Sequence, residues 1–398
     1  MSEATATCRI HDKYEEIECS NPAYDVEGFC ILHSQEKAKD PEAFKTALRA
    51  RWNQQDTEFY DFRLVFFPVP FDPKDFFGSR EFSKPVDFSG ATFTEGAVFS
   101  WATFTEKANF AGATFMKEAY FVDATFRKEA NFLTVTIRGR AVLLDLNPPQ
   151  AGVPSPPAFR ADFQYLHFSP EAMLRFQDLS LAYCTFNASD LRRVEFHHVQ
   201  WHPYRGRQAV YDEVLLRQEE KKKPWFWAWL LYDDPHADPP SSWTDKYGEV
   251  ERLYRDLQEN YERARDYKRM GDFYYGEMEM HRRASKWRWF PFYWYNLYWA
   301  LSGYGERPSR AFGLLIFFLA VLTGLLAWSG LEILDHKYSA GFGNPFFYLL
   351  QKVTLQRPTW AEPVGFGGKL VAGVSVLFIP GQAALFLLAL RNRLGRRR

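Results

Sequence analysis

The sequence has few of the features that mark several common classes of protein. Four of its 398 residues are cysteine, too few for a disulfide scaffold, and the formal net charge is zero, which does not favour nucleic acid as a partner. No Ser/His/Asp arrangement or pair of acids at a catalytic spacing stands out, so we expect no enzyme activity. The mean hydropathy of −0.37 is that of an ordinary soluble chain, but this average hides two long apolar runs.

The apolar runs lie near the C-terminal end, at Ala311 to Trp328 and Leu370 to Leu390. A helix rises 1.5 Å per residue, so each run reaches the roughly 30 Å of a hydrocarbon core, the first once Ser329 to Leu331 are added. We therefore expect two transmembrane helices. The alternative is a pair of buried helices in a soluble core, which gives no reason for the basic tail that follows the second run, Arg391, Arg393, Arg396, Arg397 and Arg398.

Basic residues also stand before the first run, at Arg307 and Arg310. Because lysine and arginine concentrate on the cytoplasmic side of membrane proteins, both termini are expected in the cytoplasm. The sequence thus predicts a multi-pass protein of a bacterial-type inner (plasma) membrane.

The N-terminal segment 1–40 contains three thiols and an imidazole, the ligand set of a closed tetrahedral zinc site: Cys8, Cys19, Cys30 and His33. Two residues separate Cys30 from His33, which lets one turn of chain hold one ion. This segment resembles small bacterial zinc knuckles with three cysteines and one histidine, and the resemblance implies structural zinc. His11 is a competing ligand.

Phenylalanine recurs with a spacing that alternates between five and six residues, at 88, 93, 99, 104, 110, 115, 121, 126 and 132. Two residues before each stands a small or β-branched residue. After a proline-rich interruption, a strict five-residue spacing runs through Phe176, Leu181, Phe186, Leu191, Phe196 and Trp201. Neither period fits a helix or an ordinary strand, and a short fixed period of this kind predicts a solenoid.

This pattern resembles the pentapeptide-repeat family, over about 86–137 and 161–202. The resemblance implies a right-handed, four-sided β-helix over 86–203, preceded by a linker at 41–85. In that family the large residue and the small residue two before it point inward, which makes Cys184 a core residue. Between 81 and 202 there are 11 basic and 13 acidic residues, a net charge of −2, so imitation of DNA is not expected. The solenoid surface leaves room for a cytoplasmic protein or small ligand.

Residues 204–286 read as an irregular connector followed by a helical hairpin that breaks near Asp266. The next stretch, 287–301, is crowded with tryptophan and tyrosine beside basic residues. This composition is typical of a helix at the level of the lipid headgroups. The alternative is an aromatic core packed within the soluble part.

Between the apolar runs, Asn344 and Pro345 form a helix start that precedes a short apolar segment ending before Pro358. About a dozen residues cannot span a bilayer, and non-helical backbone at that depth needs protein or water around it. This layout is that of pore-loop channels. The stretch Gly368 to Ala372 resembles the entry to the inner helix of two-transmembrane potassium channels, and Pro380 and Gly381 stand where such helices bend.

The resemblance places the selectivity filter at Thr354, Leu355, Gln356 and Arg357, where the potassium-channel motif Thr-Val-Gly-Tyr-Gly is missing. Potassium selectivity is therefore not expected. In an oligomer, Arg357 would form a ring of positive charge that attracts anions; alternatively, it caps the end of the short helix or faces outer water. The stretch 364–367 also resembles a filter, but it adjoins the second run.

The residues 302–398 are therefore expected to form a two-transmembrane pore-loop channel domain, and the whole chain resembles bacterial proteins that fuse pentapeptide repeats to an ion channel. The resemblance implies an anion or non-selective channel subunit gated through the solenoid. Its expected partners are other copies of the chain in a tetramer, the lipid bilayer and ions. The alternative is a membrane-anchored interaction scaffold that conducts nothing.

Overall fold

The phenylalanine repeat forms short parallel strands, and the apolar runs form long helices. The protein is represented by a computed structural model that describes residues 7–14, 17, 19–54, 57–144, 159–222, 240–285, 290, 292–334, 343–353 and 359–395. The chain divides into two compact units, Met1–Ala264 and Arg265–Arg398, called here the first and second units.

Helices occur in both units. Those described in the first unit are α1 (Ile10–Lys13), α2 (Pro41–Trp52), α3 (Pro73–Phe77), α4 (Tyr211–Lys222) and α5 (Pro240–Arg263). Those described in the second unit are α6 (Tyr267–Ala284), α7 (Trp294–Ser302), α8 (Pro308–Ser329), α9 (Asn344–Val353) and α10 (Gly365–Gly395).

Four parallel sheets, which the chain visits in rotation, form a β-solenoid. The first contains Tyr60–Asp61, Val86–Asp87, Ala108–Asn109, Ala130–Asn131, Arg160–Asp162 and Tyr183–Thr185, and the second Phe66–Phe67, Thr92–Phe93, Thr114–Phe115, Thr136–Ile137 and His167–Phe168. The third contains Ala97–Val98, Ala119–Val122, Arg140–Leu144, Met173–Gln177 and Val194–His197, and the fourth Glu81–Phe82, Thr103–Phe104 and Thr125–Phe126. The six strands of the longest sheet correspond to about six turns. The right-handedness implied by the resemblance stays a prediction.

Inward-pointing phenylalanines hold successive turns together. Along one side of the core, the rings of Phe88, Phe110 and Phe132 stack in parallel, with centroids 5.2 and 5.1 Å apart. The residues two positions earlier, Val86, Ala108 and Ala130, are buried too, as the resemblance implies. Because each turn offers its aromatic ring at the same height and angle, burial of apolar surface fixes the register of every strand.

The solenoid begins earlier than the repeat predicts. Tyr60 pairs with Val86, and Phe66 pairs with Thr92, so the first turn lies inside the segment 41–85 that was expected to be a linker. Phenylalanines at 62, 67, 77 and 82 already keep the five-residue spacing. The signal was obscured because large residues such as Tyr60 and Arg80 stand where the later repeats have alanine.

Asp212 closes the C-terminal end of the solenoid. In an interior turn, the N–H of Phe163 donates to Thr185 O of the next turn at 2.8 Å. Phe186 stacks on Phe163 one turn later, and its N–H donates instead to the carboxylate of Asp212 at 3.1 Å. The Asn187 N–H donates to the same carboxylate at 3.0 Å. A side chain at the start of α4 thus replaces the carbonyl groups of a missing turn.

In the second unit, α8 and α10 pack along each other, and short strands join their neighbouring ends. Leu331–Ile333 pairs antiparallel with Ala361–Pro363. The aromatic stretch predicted as a helix over 287–301 forms α7, Trp294–Ser302; residues 286–289 and 291 lie outside the described part of the chain.

Candidate functional sites

The four predicted metal ligands lie together in the first unit. One ligand atom from each of Cys8, Cys19, Cys30 and His33 falls within 4.8 Å of every other. Cys8, Cys30 and His33 are buried. The competing residue His11 is exposed in α1 and is not a member of this cluster.

Three separations between ligand atoms are close to the edges of a metal-centred tetrahedron. The Sγ atoms of Cys19 and Cys30 are 3.7 Å apart, and His33 Nδ1 lies 3.5 Å from Cys8 Sγ and 3.3 Å from Cys30 Sγ. Metal–ligand bonds of about 2.3 Å to sulfur and about 2.0 Å to nitrogen give edges of about 3.8 and about 3.5 Å. The cluster can therefore hold one metal ion between its four ligands, with Nδ1 as the histidine ligand.

The thiols affect one another's protonation. Burial raises the pKa of Cys8, and the contact between Cys19 and Cys30 lowers the pKa of Cys19 while it raises that of Cys30. Three thiolates crowded together repel one another, and a divalent cation would remove that cost. Metal binding at this site is thus expected to release protons.

Two helices of the second unit are long and apolar enough to cross a membrane. They are α8, with a mean hydropathy of 2.4, and α10, with 2.0 over its most apolar window. Only 28% of the residues in each window are buried within the protein. A core helix of a soluble protein would be mostly covered, so the exposed apolar surface favours lipid as the surrounding medium.

The short helix α9 packs against both long helices. Its Tyr348 and Leu349 lie in one buried apolar cluster with Leu322 and Leu326 of α8 and Ala372 of α10. Gln351 accepts a hydrogen bond from Nε1 of Trp360 at 3.0 Å. One face of α9 is thereby fixed beside the ends of the two long helices.

The opposite face of α9 is apolar and uncovered. Phe346 is 42% exposed, Phe347 57% and Leu350 40%. Three large apolar side chains on one turn of helix are costly to leave in water. This face therefore requires lipid or protein against it.

The predicted filter residues Thr354, Leu355, Gln356 and Arg357 lie outside the described residues. Their expected roles stay predictions. The alternative filter at 364–367 is not extended, because α10 begins at Gly365. The proposed hinge residues Pro380 and Gly381 lie within α10, which continues on both sides of them.

Gln382 follows the Pro380–Gly381 pair and connects α10 to the turn between α7 and α8. This turn, residues 303–307, with the adjoining helix ends is called the corner. Its side chain is 3% exposed, and Nε2 donates to Leu301 O and Ala311 O, both at 2.9 Å. Both partners are carbonyl groups, which fixes the orientation of the amide. Sequence reasoning missed this residue, although a glutamine within an apolar run is itself a signal.

The same corner is bound to α6 through a buried acid. Glu279 is 4% exposed; it accepts hydrogen bonds from Arg282 at 2.8 Å and from the hydroxyl of Tyr304 at 3.0 Å. The stretch Gly303–Tyr304–Gly305 is a tight turn in which both glycines have positive φ, 57° and 74°. These glycines therefore serve to form the turn between α7 and α8.

Comparison with known families identifies part of the solenoid. The family described as pentapeptide repeats (9 copies) matches residues 77–125. Neither the comparison with curated proteins nor that with solved structures gives a match. The chain therefore contains a pentapeptide-repeat β-solenoid, followed by two helices that are able to span a membrane.

Proposed function

We propose that this protein is a subunit of a membrane ion channel. The observation that carries the proposal is the short helix α9, which packs on both long helices and leaves an apolar outer face. A simple membrane anchor has no use for such a third element. A helix that enters the bilayer part-way needs protein around its far end, and copies of the chain would supply it.

One pair of spanning helices cannot enclose a pathway, so conduction requires an oligomer, and we propose a tetramer. We infer a cytoplasmic position for both termini from Arg391 and Arg393 in the last turns of α10 and from Arg307, which precedes α8. The segment with Arg357 would line the pathway. A ring of arginines repels cations, which supports an anion or non-selective channel.

Gating would begin in the solenoid and reach the second unit through the chain between α5 and α6. Within the second unit, Glu279 and Tyr304 connect α6 to the corner, and Gln382 connects the corner to α10 beyond Pro380. A displacement of α6 would thus act on the part of α10 that follows the predicted hinge.

We further propose that the N-terminal metal is zinc in a structural role. Three thiolates and one imidazole within 4.8 Å of one another suit this ion, and four protein ligands would leave no position for water. Elemental analysis of the purified protein tests the assignment; one zinc per chain is expected.

Planar-bilayer recording of the purified full-length protein in asymmetric salt tests the channel. We expect currents whose reversal potential lies near zero or toward the equilibrium potential of the anion. In Arg357→Glu the reversal potential should shift toward the equilibrium potential of the cation. Arg255→Glu, on the surface of α5, is the matched control and should not move it. Currents with an unchanged reversal potential in Arg357→Glu would refute the filter role of Arg357.

The second candidate is a scaffold tethered by the two long helices. The solenoid favours it, because repeat surfaces commonly bind partners. Bilayers that stay silent under varied voltage, pH and divalent ions would favour this scaffold over the channel.

A further inference from the structure

The first turn of the solenoid has no turn before it to complete its hydrogen bonds. Its strands Tyr60–Asp61, Phe66–Phe67 and Glu81–Phe82 lie at the edges of their sheets. Open strand edges pair readily with other chains, and natural proteins cover or charge them. The N-terminal end of this solenoid therefore needs a cap.

Phe66 shows how the edge is closed. Thr92, its counterpart one turn later, donates its N–H to Val65 O of the preceding turn at 2.9 Å. For Phe66 no preceding turn exists, and its N–H donates to Leu32 O at 2.9 Å. The ammonium group of Lys39 donates to Phe66 O at 2.9 Å. Both backbone groups of Phe66 are thus satisfied from the N-terminal segment.

Neighbouring contacts extend this cover. Arg49 of α2 donates to Phe76 O at 2.7 Å and to Asp75 O at 3.1 Å. The Phe44 ring packs edge-on against Phe67, with the centroids 5.7 Å apart. Lys39 is 4% exposed and stands over the Phe44 ring at 5.3 Å, so its charge is buried at the edge. A second chain that pairs with this edge would have to displace a buried cation.

The metal ligands hold the residue that performs the backbone pairing. Leu32 lies between Cys30 and His33, in a turn where the His33 N–H donates to Cys30 O at 3.0 Å. Arg51 of α2 approaches Cys19 Sγ to 4.0 Å and forms an ion pair with Asp61 of the first turn at 3.0 Å. The only helix described within residues 7–34 is α1, with four residues. A segment with so little regular structure needs a cross-link, such as a bound metal ion, to hold Leu32 in place.

We infer that the metal centre stabilises an N-terminal cap of the solenoid, in which Leu32 and Lys39 bond to the backbone of the first turn. The bound metal holds these two residues in position. The inference rests on the proposed zinc but is independent of conduction. Loss of the metal releases the turn at Cys30 to His33 and exposes the Phe66 edge. The interior turns, which bond to turns on both sides, are unaffected.

Hydrogen exchange followed by mass spectrometry on the full-length protein in detergent tests the inference. Removal of the metal with a chelator should speed exchange of peptides covering 60–67 by at least about tenfold, the factor for loss of about 1.4 kcal/mol. Peptides covering 108–115 should not change. Cys30→Ser should behave like the chelated protein, whereas His11→Ala should behave like the untreated one.

Lys39→Met keeps every metal ligand and removes only the buried cation, so it covers the case in which Cys30→Ser fails to fold. It should retain the metal and still speed exchange at 60–67. A protein that contains the metal, yet shows unchanged exchange at 60–67 after chelation and in Lys39→Met, overturns the cap while zinc binding stands. A protein that binds no metal overturns both.

Discussion

The buried polar side chains of the two units lie in different kinds of places. In the first unit most of them lie near the ends of the solenoid, where Lys39 and Asp212 bond to backbone groups that a missing turn leaves without partners. In the second unit Gln382 and Glu279 lie where helices meet. In the first unit polar groups finish a repeat, and in the second they join separate helices.

The two ends of the solenoid are closed by different side chains. At the N-terminal end, bare carbonyl groups receive donors from Lys39 and Arg49. At the C-terminal end, bare N–H groups meet the carboxylates of Asp212 and Asp256. Carbonyl groups at this end are bonded too, since Asn260 Nδ2 donates to Leu191 O at 3.0 Å and Arg263 donates to Arg192 O at 3.3 Å. Substitutions at the ends of the solenoid should therefore expose backbone groups and lower stability, whereas substitutions where helices of the second unit meet should change gating.

The largest effect is expected from Glu213, next to the cap residue Asp212. Its carboxylate is fully buried and contacts Arg207, Arg217 and Tyr254. Glu213→Gln removes the buried anion that both guanidinium groups contact, and loss of one partner of a buried pair costs about 3–5 kcal/mol. Hydrogen exchange of peptides covering 183–222, in the full-length protein, measures the loss.

The control for Glu213 is a solvent-exposed acid that also forms an ion pair. Glu259→Gln on α5 removes an ion pair with Arg263 that is open to solvent, and it should cost less than about 1 kcal/mol. Equal losses in both variants would contradict the view that burial at the end of the solenoid decides the cost.

The pH dependence should separate Asp212 from Glu213. Burial raises the pKa of Asp212 to about 7, against the N–H groups that lower it. Burial also opposes ionisation of Glu213, but Arg207 and Arg217 outweigh it and hold its pKa below the ordinary value of 4.5. The pKa values of these two neighbouring acids are thus shifted in opposite directions.

A raised acid pKa favours folding at low pH, so the contribution of Asp212 is present below pH 3.8 and is lost as pH rises toward about 7. A lowered acid pKa favours folding at higher pH, so the contribution of Glu213 is lost as pH falls below 4.5. In thermal unfolding, Asp212→Asn should flatten the neutral side of the profile, and Glu213→Gln the acidic side. A profile that neither variant changes would refute this assignment.

The smallest expected effect concerns Gln382. Gln382→Leu removes two hydrogen bonds between α10 and the corner, and such bonds within membranes contribute about 0.6 kcal/mol each on average. We expect the oligomer to assemble and the open probability to change by about threefold or more. Ser375→Ala is the control, because Ser375 Oγ donates to Ala372 O of its own helix. An unchanged open probability in Gln382→Leu would show that the corner does not control gating.

The sequence predicted the elements whose physical signal is repeated or long. The turns over 86–137 and 161–202 follow from the spacing of phenylalanine and other large apolar residues, and the metal ligands from their residue types. The first turn was missed because bulky residues replace the alanines. Asp212 and Lys39 could not be found, because they are caps whose partners are backbone groups distant in sequence. The residues 354–357 carry no periodic signal, and their role stays a prediction.

Modification of one position in the proposed filter tests the central claim most directly. Gln356→Cys in the full-length protein, recorded in a planar bilayer, presents a thiol to a charged methanethiosulfonate reagent. If 354–357 line a conducting pathway, the reagent blocks the current of the variant and leaves the wild-type current unchanged. A variant current that the reagent does not alter, or bilayers that never conduct, would contradict the account.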